Sequence, residues 1–457
     1  MQKASGFKRV INRRQVMALA FGAMVGWSWV ALTGVWIGNA GPVGAMLAFL
    51  LGGAALAFVG LTYAELAAAM PVVGGEHAYS KRALGRTASF ICTWAILLGY
   101  VSVVAFEAVA LPTVIEYLVP NFSRGYLWTV GGWDVNATWV ATGSLAAVAM
   151  IAINVFGIRT AARVQVLVVV VVLASGIALI FGAAVNGDAA NLSPGFTGGI
   201  AGALSVLVMV PFMFVGFDVI PQSAEEIDMP FAEIGRTLLL SIGLAIVWYA
   251  LIIGAVALGL SETQRASASL PTADAAVALF GGTWAGTLLV IGGIAGILTS
   301  WNAFLIGGSR ALFALAQAGQ VPAVFGKLDP KYHTPRNAIL LTGGLAVIAP
   351  LFGRPAMVWL VDAGGLGIVT AYAMVALSFL VLRAREPDME RPYRVRYGKL
   401  TGYLALGLSL AIASLYLPFS PAALVWPHEW LIVIVWCALG LLMHLLSAKG
   451  RNQGDSV

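Results

Sequence analysis

Acidic side chains inside long apolar runs come first, because a carboxylate at membrane depth is costly and tends to mark a substrate, ion or proton path. Two stand out: Glu107 in VAFEAVALP and Asp218 in PFMFVGFDVIPQ. Glu107 either pairs with a second cationic group on a substrate, which favours a diamine or basic amino acid, or is bonded to a neighbouring helix. Asp218 either titrates and works a gate or is held by local backbone donors. Thr299 and Ser300, adjacent in GILTSWN, offer hydroxyl oxygens that a sodium ion can share with free backbone carbonyls; the alternative is hydroxyls bonding back within their own helix. Asp362, just before Gly364-Gly365, suits the outer face or a gate, and His444 suits a packed or interfacial position. The 4 histidines form no HExxH pair, and Cys92 and Cys437, the only cysteines, form no CxxC, so metal-hydrolase and redox chemistry have no residues to work with.

Two glycine-containing segments interrupt otherwise helical stretches: GAMVGWSWV (22–30) and PFMFVGFDVIPQ (211–222). Breaks at corresponding places in two halves of a membrane chain point to a midplane site, where freed N–H groups hold a carboxylate and freed carbonyls hold a cation. Val25, Gly26, Trp27 and Ser28 form the first such stretch. The competing reading is that Gly22 and Gly26, four apart, only let helices approach closely.

The elements that must position these groups are membrane spans. The chain has 457 residues, 60% of them hydrophobic and 10% charged, and a mean hydropathy of +0.91. That composition excludes a water-soluble globular enzyme. Twelve apolar stretches are long enough to cross: 15–40, 43–69, 88–117, 138–157, 164–185, 199–222, 237–260, 284–316, 337–353, 356–383, 401–419 and 424–446. The first, although preceded by MQKASGFKRVINRR, runs far past a signal-peptide core and is read as a retained span. With an even count, all the Lys and Arg except Arg124, Arg265 and Arg354 fall on the side of the termini, including Lys3, Lys8, Arg159, Arg163, Lys449 and Arg451. The positive-inside rule makes that side cytoplasmic and accounts for the net charge of +6 without nucleic acid. Trp128, Trp133, Trp139, Trp426 and Trp430 read as interfacial anchors. The polar breaks are loop-sized, so no large extramembrane domain is expected.

Five stretches together resemble the amino acid–polyamine–organocation permeases. The run at 41–85, with YAEL, Pro71, Gly74-Gly75 and Tyr79, is similar to that family's second span and the loop after it. FVGFDVIPQSAEEIDMP (214–230) resembles its sixth span and exit, SRALFALAQAGQVPAVFGKLDPKYHTPRNA (309–338) the stretch after span eight, and LRAREPDMERPYRV (382–395) the one after span ten. GAMVGWSWV is the fifth match.

The resemblance implies an all-α polytopic fold of twelve transmembrane helices. In it, two inverted five-helix repeats (1–185, with spans one to five, and 186–383, with spans six to ten) precede a peripheral pair and tail (384–457), with helices one and six broken. It implies alternating access, Val25 to Ser28 receiving a substrate carboxylate, and Phe212, Phe214, Val215 and Gly216 receiving its amino group. Trp94 and Tyr100 wall the cavity or pack the core, and Asp218 falls where the family often carries an acid. Trp27 and Ser28 depart from the family's small residue followed by glycine, so the indole either shrinks the pocket or offers a cation–π face. Glu65, Glu225 and Glu226 match landmarks that tie loops to helices. The lysine that proton-coupled relatives place in span five is missing from RVQVLVVVVVLASGIALIFGAA, which leaves H+ or Na+ as the coupling ion, or exchange without one.

The expected function is therefore a non-enzymatic permease, a symporter or antiporter in the cytoplasmic membrane. It needs no cofactor and moves a small amino acid. A polyamine or ethanolamine carrier is the alternative and an intramembrane enzyme the remote one. Substrate, oligomeric state and accessory subunits are not written in these features.

Overall fold

The computed structural model describes residues 9–156, 158–268 and 270–454, with side chains described except over 158–164 and 448–454. Lys3 and Lys8, and the side chains of Arg159, Arg163, Lys449 and Arg451, lie outside the described residues, as does the last residue of the 138–157 span.

The chain opens with α1 (Arg13–Met24), whose first turn is closed by a reciprocal cap between Asn12 and Gln15. A break at Val25–Trp27 separates it from the short α2 (Ser28–Ala31), and α3 comes almost at once (Thr33–Ala69). The 37 residues of α3 are two helices merged at Gly41, where φ is +75° and Pro42 is next. A positive φ is open mainly to glycine, and proline starts a helix well, so the pair turns span one directly into span two. A short helix α4 (Glu76–Leu84) lies between α3 and α5 (Arg86–Leu118). The strands β1 (Tyr126–Val130) and β2 (Trp133–Asn136) then make a hairpin, pairing Val130 with Trp133 and Tyr126 with Asn136. Next come α6 (Ala137–Val155) and α7 (Ile158–Asn186).

The second half repeats the broken theme. Span six consists of α8 (Gly199–Leu207), α9 (Val210–Phe214) and α10 (Val219–Gln222), interrupted at Val215–Asp218. After it come α11 (Phe231–Gly259), the short α12 (Glu262–Ser267) and α13 (Pro271–Phe280), and α14 (Thr283–Gln317). The chain closes with α15 (Arg336–Ile348), α16 (Ala356–Arg385), α17 (Gly398–Leu415) and α18 (His428–Gly454).

Ten of these segments are long and apolar enough to cross a membrane. The other two expected spans correspond to the broken first helix and to a 10–17-residue apolar stretch at Arg336–Phe352. The hairpin, α4, α12 and α13 were not legible as elements, being short segments inside what read as loops. Leu400, Leu410, Leu441 and Leu445 on α17 and α18, and Leu167 and Phe181 on α7, project outward and exposed, as a lipid-facing surface requires. Inside, α5 packs against both α14 and α16, α3 lies along α11, and α1 lies against α7, α11 and α14. The α1–α2 break is thereby centred in the bundle. Trp139 corrects one expectation: it is buried, its ring tilted against Trp133 with centroids 5.7 Å apart, instead of sitting in a lipid interface.

Candidate functional site

The two breaks touch. Gly216 has a φ of +134°, and a β-carbon there would stand 2.6 Å from Ala23 Cβ and 3.0 Å from the Met24 nitrogen. Only glycine satisfies both the dihedral and the approach. Tyr249 of α11 secures the junction: its hydroxyl donates to Met24 O at 2.6 Å, lies 3.3 Å from Met213 O, and sits 3.1 Å from Ser28 Oγ. Carbonyls freed by both breaks thus share one buried hydroxyl. No sequence pattern marked this tyrosine, because it stands in an uninterrupted apolar helix.

Beside the junction lies a cavity of about 10 Å³, room for roughly one water, lined by Ala23, Met24, Gly26, Ser28, Val103, Phe106, Glu107, Phe212, Met213, Ser300 and Phe304. The structure therefore brings Gly26, Ser28, Glu107, Phe212 and Ser300 together as a lining. Val25, Phe214, Val215 and Gly216 flank it as structural parts of the breaks, with Phe214 packed on Phe49 and Tyr249. Met24, Val103, Phe106, Met213 and Phe304 are lining residues that sequence reasoning missed; apolar residues in apolar spans carry no distinguishing signal.

Glu107 is the polar centre. Ser300 Oγ donates to Glu107 Oε1, and Oε2 has no partner. A methyl group on Gly26 would stand 3.0 Å from Oε1. The Trp27 indole turns the other way, packed over Gly293 of α14 and fully buried, so it neither narrows the cavity nor offers it a π face. Its backbone, not its ring, belongs to the site.

Behind this lining, Gln165 of α7 reaches between α1 and α14. Its Nε2 donates to Thr299 O at 3.1 Å and Ala18 O at 3.4 Å, and its Oε1 accepts from Asn302 Nδ2 at 3.2 Å. Thr299 Oγ1 donates onward to Gly22 O at 3.0 Å and Gly296 O at 2.8 Å. An amide and a hydroxyl, both donating, fill the space between spans one, five and eight.

Toward the end of the bundle that carries α4, Tyr100 donates to Asp218 Oδ2 at 2.8 Å and the Gly216 N–H donates to Oδ1 at 2.7 Å. Glu76, the first residue of α4, is fully buried; Gln222 donates to its Oε2 and its Oε1 has no partner. Burial raises Glu76 above the usual carboxyl range, and the Asp218 charge adds to the effect. The neighbouring His77 is held down at about 4 by burial and by Lys81. Glu76 and Gln222 went unnoticed in the sequence because they lie in apparent loop and exit segments.

Trp94 is a correction. It stacks between Phe90 and Trp436, with ring centroids 5.8 and 4.6 Å away, and donates to Trp436 O, so it joins α5 to α18 and does not wall the cavity. The landmark acids tie segments together: Glu65 receives Arg383, Arg391 and the Val395 N–H, Glu226 receives Arg310, and Glu225 receives the Val73 N–H. Asp362 stands near Tyr416 and Glu429, and His444 lies against Phe90 and Gln320 O. Among the described residues, no group of three or more His, Cys, Asp or Glu is arranged to hold a metal.

A multi-pass helical membrane protein with two interrupted helices meeting at a buried polar cavity is the class these features define. The chain matches the amino acid permease family over residues 15–451 and belongs to it. It is 25% identical over 455 residues to the branched-chain amino acid permease BcaP of Bacillus subtilis, covering 98% of this chain and 94% of that one. The aspartate-proton symporter of the same organism is 26% identical over 89% of this chain and 79% of its own. The lysine-specific permease LysP of Escherichia coli is 25% identical, over 90% and 86%.

Proposed function

We propose that the chain is a secondary transporter that carries a small amino acid through the cytoplasmic membrane by alternating access, without acting as an enzyme. The observation that carries the reading is the contact of the two breaks at Gly216 and Ala23–Met24 beside the cavity holding Glu107 and Ser300. Such a junction supplies peptide N–H groups for a carboxylate and carbonyls for an ammonium. The cavity is smaller than any amino acid, so binding and release require the two halves to move. Under this reading the chain crosses twelve times with both termini cytoplasmic. Residues 1–185 and 186–383 are the moving inverted repeats, and 384–457 is the peripheral pair and tail.

Coupling to protons fits better than coupling to sodium at Thr299 and Ser300. The Gln165 amide and the Thr299 hydroxyl already donate to Ala18 O, Thr299 O, Gly22 O and Gly296 O, which a sodium ion would otherwise share, and Ser300 is committed to Glu107. A relative named as an aspartate-proton symporter agrees with that choice.

A polyamine or ethanolamine-type carrier is the second reading, favoured by the unpartnered Glu107 Oε2. Proteoliposomes loaded with an amino acid panel separate the readings: saturable, counterflow-competent uptake supports a carrier, whereas product formation supports an intramembrane enzyme. Equal competition by decarboxylated analogues would replace the amino acid reading with the amine one. Loss of uptake when sodium is exchanged for choline at fixed pH would reinstate sodium.

A further inference from the structure

The span-one break has one carboxylate on it already, and it comes from the protein. Glu107 takes the Ser300 hydroxyl, its Oε1 stands against Gly26, and its Oε2 is buried with no partner. This is the break on which the amino acid reading seats the substrate carboxylate.

The ionisable groups on the helices around Glu107 are engaged elsewhere. From α11, Tyr249 donates to Met24 O. On α5 itself Tyr100 stands seven residues away, about 10 Å along the helix, and holds Asp218 of span six. From α14, Arg310 is committed to Glu226; from α16, Asp362 lies with Tyr416 and Glu429; from α4, Glu76 lies with Gln222. None of these supplies a cation to Glu107.

We propose that Glu107 is the proton carrier of the transport cycle: ionised while water from the open mouth reaches it, it binds one proton when a substrate carboxylate takes its place at the Gly26 break and loses it when the substrate leaves. This deepens the amino acid reading and rests on it. Two carboxylates meeting in one buried break cannot both stay ionised, so one of them takes a proton from water on the entry side. Protonated, Glu107 changes from acceptor to donor, and its O–H is placed to bond the carboxylate that replaced it. The proton and the substrate then cross together. An amine without a carboxylate makes no such demand and binds with Glu107 as its counter-ion.

Titration calorimetry of the purified full-length protein at pH 7, in two buffers of different ionisation enthalpy, counts protons taken up per ligand. The probes are matched pairs: leucine with isoamylamine, and lysine with cadaverine. The expected result is about one proton per amino acid and none per amine, with Glu107→Gln binding the amino acid without proton uptake. Should that variant fail to fold, the wild-type protein still tests the idea between pH 6 and 8: with one linked proton, amino acid affinity falls by up to tenfold per pH unit while amine affinity does not. Amino acid binding without proton uptake overturns the proposal, as does uptake that survives in Glu107→Gln and so belongs to another acid. Binding of amines alone overturns it too and leaves the amine carrier standing. Binding of neither member of either pair removes the transport reading itself.

Discussion

Replacing Gly216 with alanine tests the contact on which the site depends. The new methyl would stand 2.6 Å from Ala23 Cβ and 3.0 Å from the Met24 nitrogen, so the α1–α2 break or the α9–α10 break has to shift. Overpacking of this kind costs about 1–3 kcal/mol. The φ of +134° adds about 1–3 kcal/mol, because a residue with a β-carbon rarely adopts it. The two penalties relax partly together, and about 3 kcal/mol is the expected loss. The control is Gly243→Ala, in the middle of α11, where an added β-carbon meets nothing within 4 Å and helix propensity favours alanine by up to about 1 kcal/mol. Unfolding free energies from SDS titration of the purified proteins should separate the two variants by at least about 2 kcal/mol, and proteoliposome uptake should fall only in Gly216→Ala. If both variants lie within about 0.5 kcal/mol of wild type and transport equally, the breaks do not meet at Gly216 and the site is misassigned.

Three further substitutions probe separate parts of the structure. Tyr249→Phe removes the donor to Met24 O and should cost about 1–3 kcal/mol in the same titration, with a matching loss of uptake; an unchanged variant would mean the freed carbonyls find other donors. Glu76→Gln should stabilise the protein increasingly as pH rises. Burial raises this acid in the folded state, so the unfolded chain ionises first and wild-type stability declines with pH above its ordinary range. A melting-temperature difference that does not grow between pH 5 and 8 would contradict this. Trp94→Leu should loosen the α5–α18 packing and lower the melting temperature while leaving substrate KM unchanged; a raised KM would return Trp94 to the cavity.

The sequence carried the spans because hydrocarbon thickness is a one-dimensional constraint, and most of the expected spans match the observed helices closely. It carried the breaks because glycine within an apolar run is a local anomaly. It also singled out Glu107, Asp218, Ser300 and Thr299, since polarity at membrane depth is conspicuous. What it could not carry was direction. Trp27 and Trp94 looked like cavity aromatics, yet one ring lies over Gly293 and the other against Trp436, and which way a helix is rotated depends on its neighbours. Gln165 gave no signal because an amide is neither charged nor apolar. Tyr249 and the hairpin depend on contacts distant in the chain.

The turn at Gly41-Pro42 has a mechanical consequence. No slack separates the half-helix after the first break from α3, and Gly41 is wedged against Gly195 O, where a β-carbon would stand 2.6 Å away. From Gly41 to Glu65 the helix is a stiff rod of about 36 Å. Its far end is fastened by Glu65 to Arg383 and Arg391, at and just beyond the end of α16. The half-helix after the first break is thus joined, through the Gly41-Pro42 turn alone, to a rod whose far end is tied to α16, so the break and the opposite end of the bundle are linked by one stiff lever.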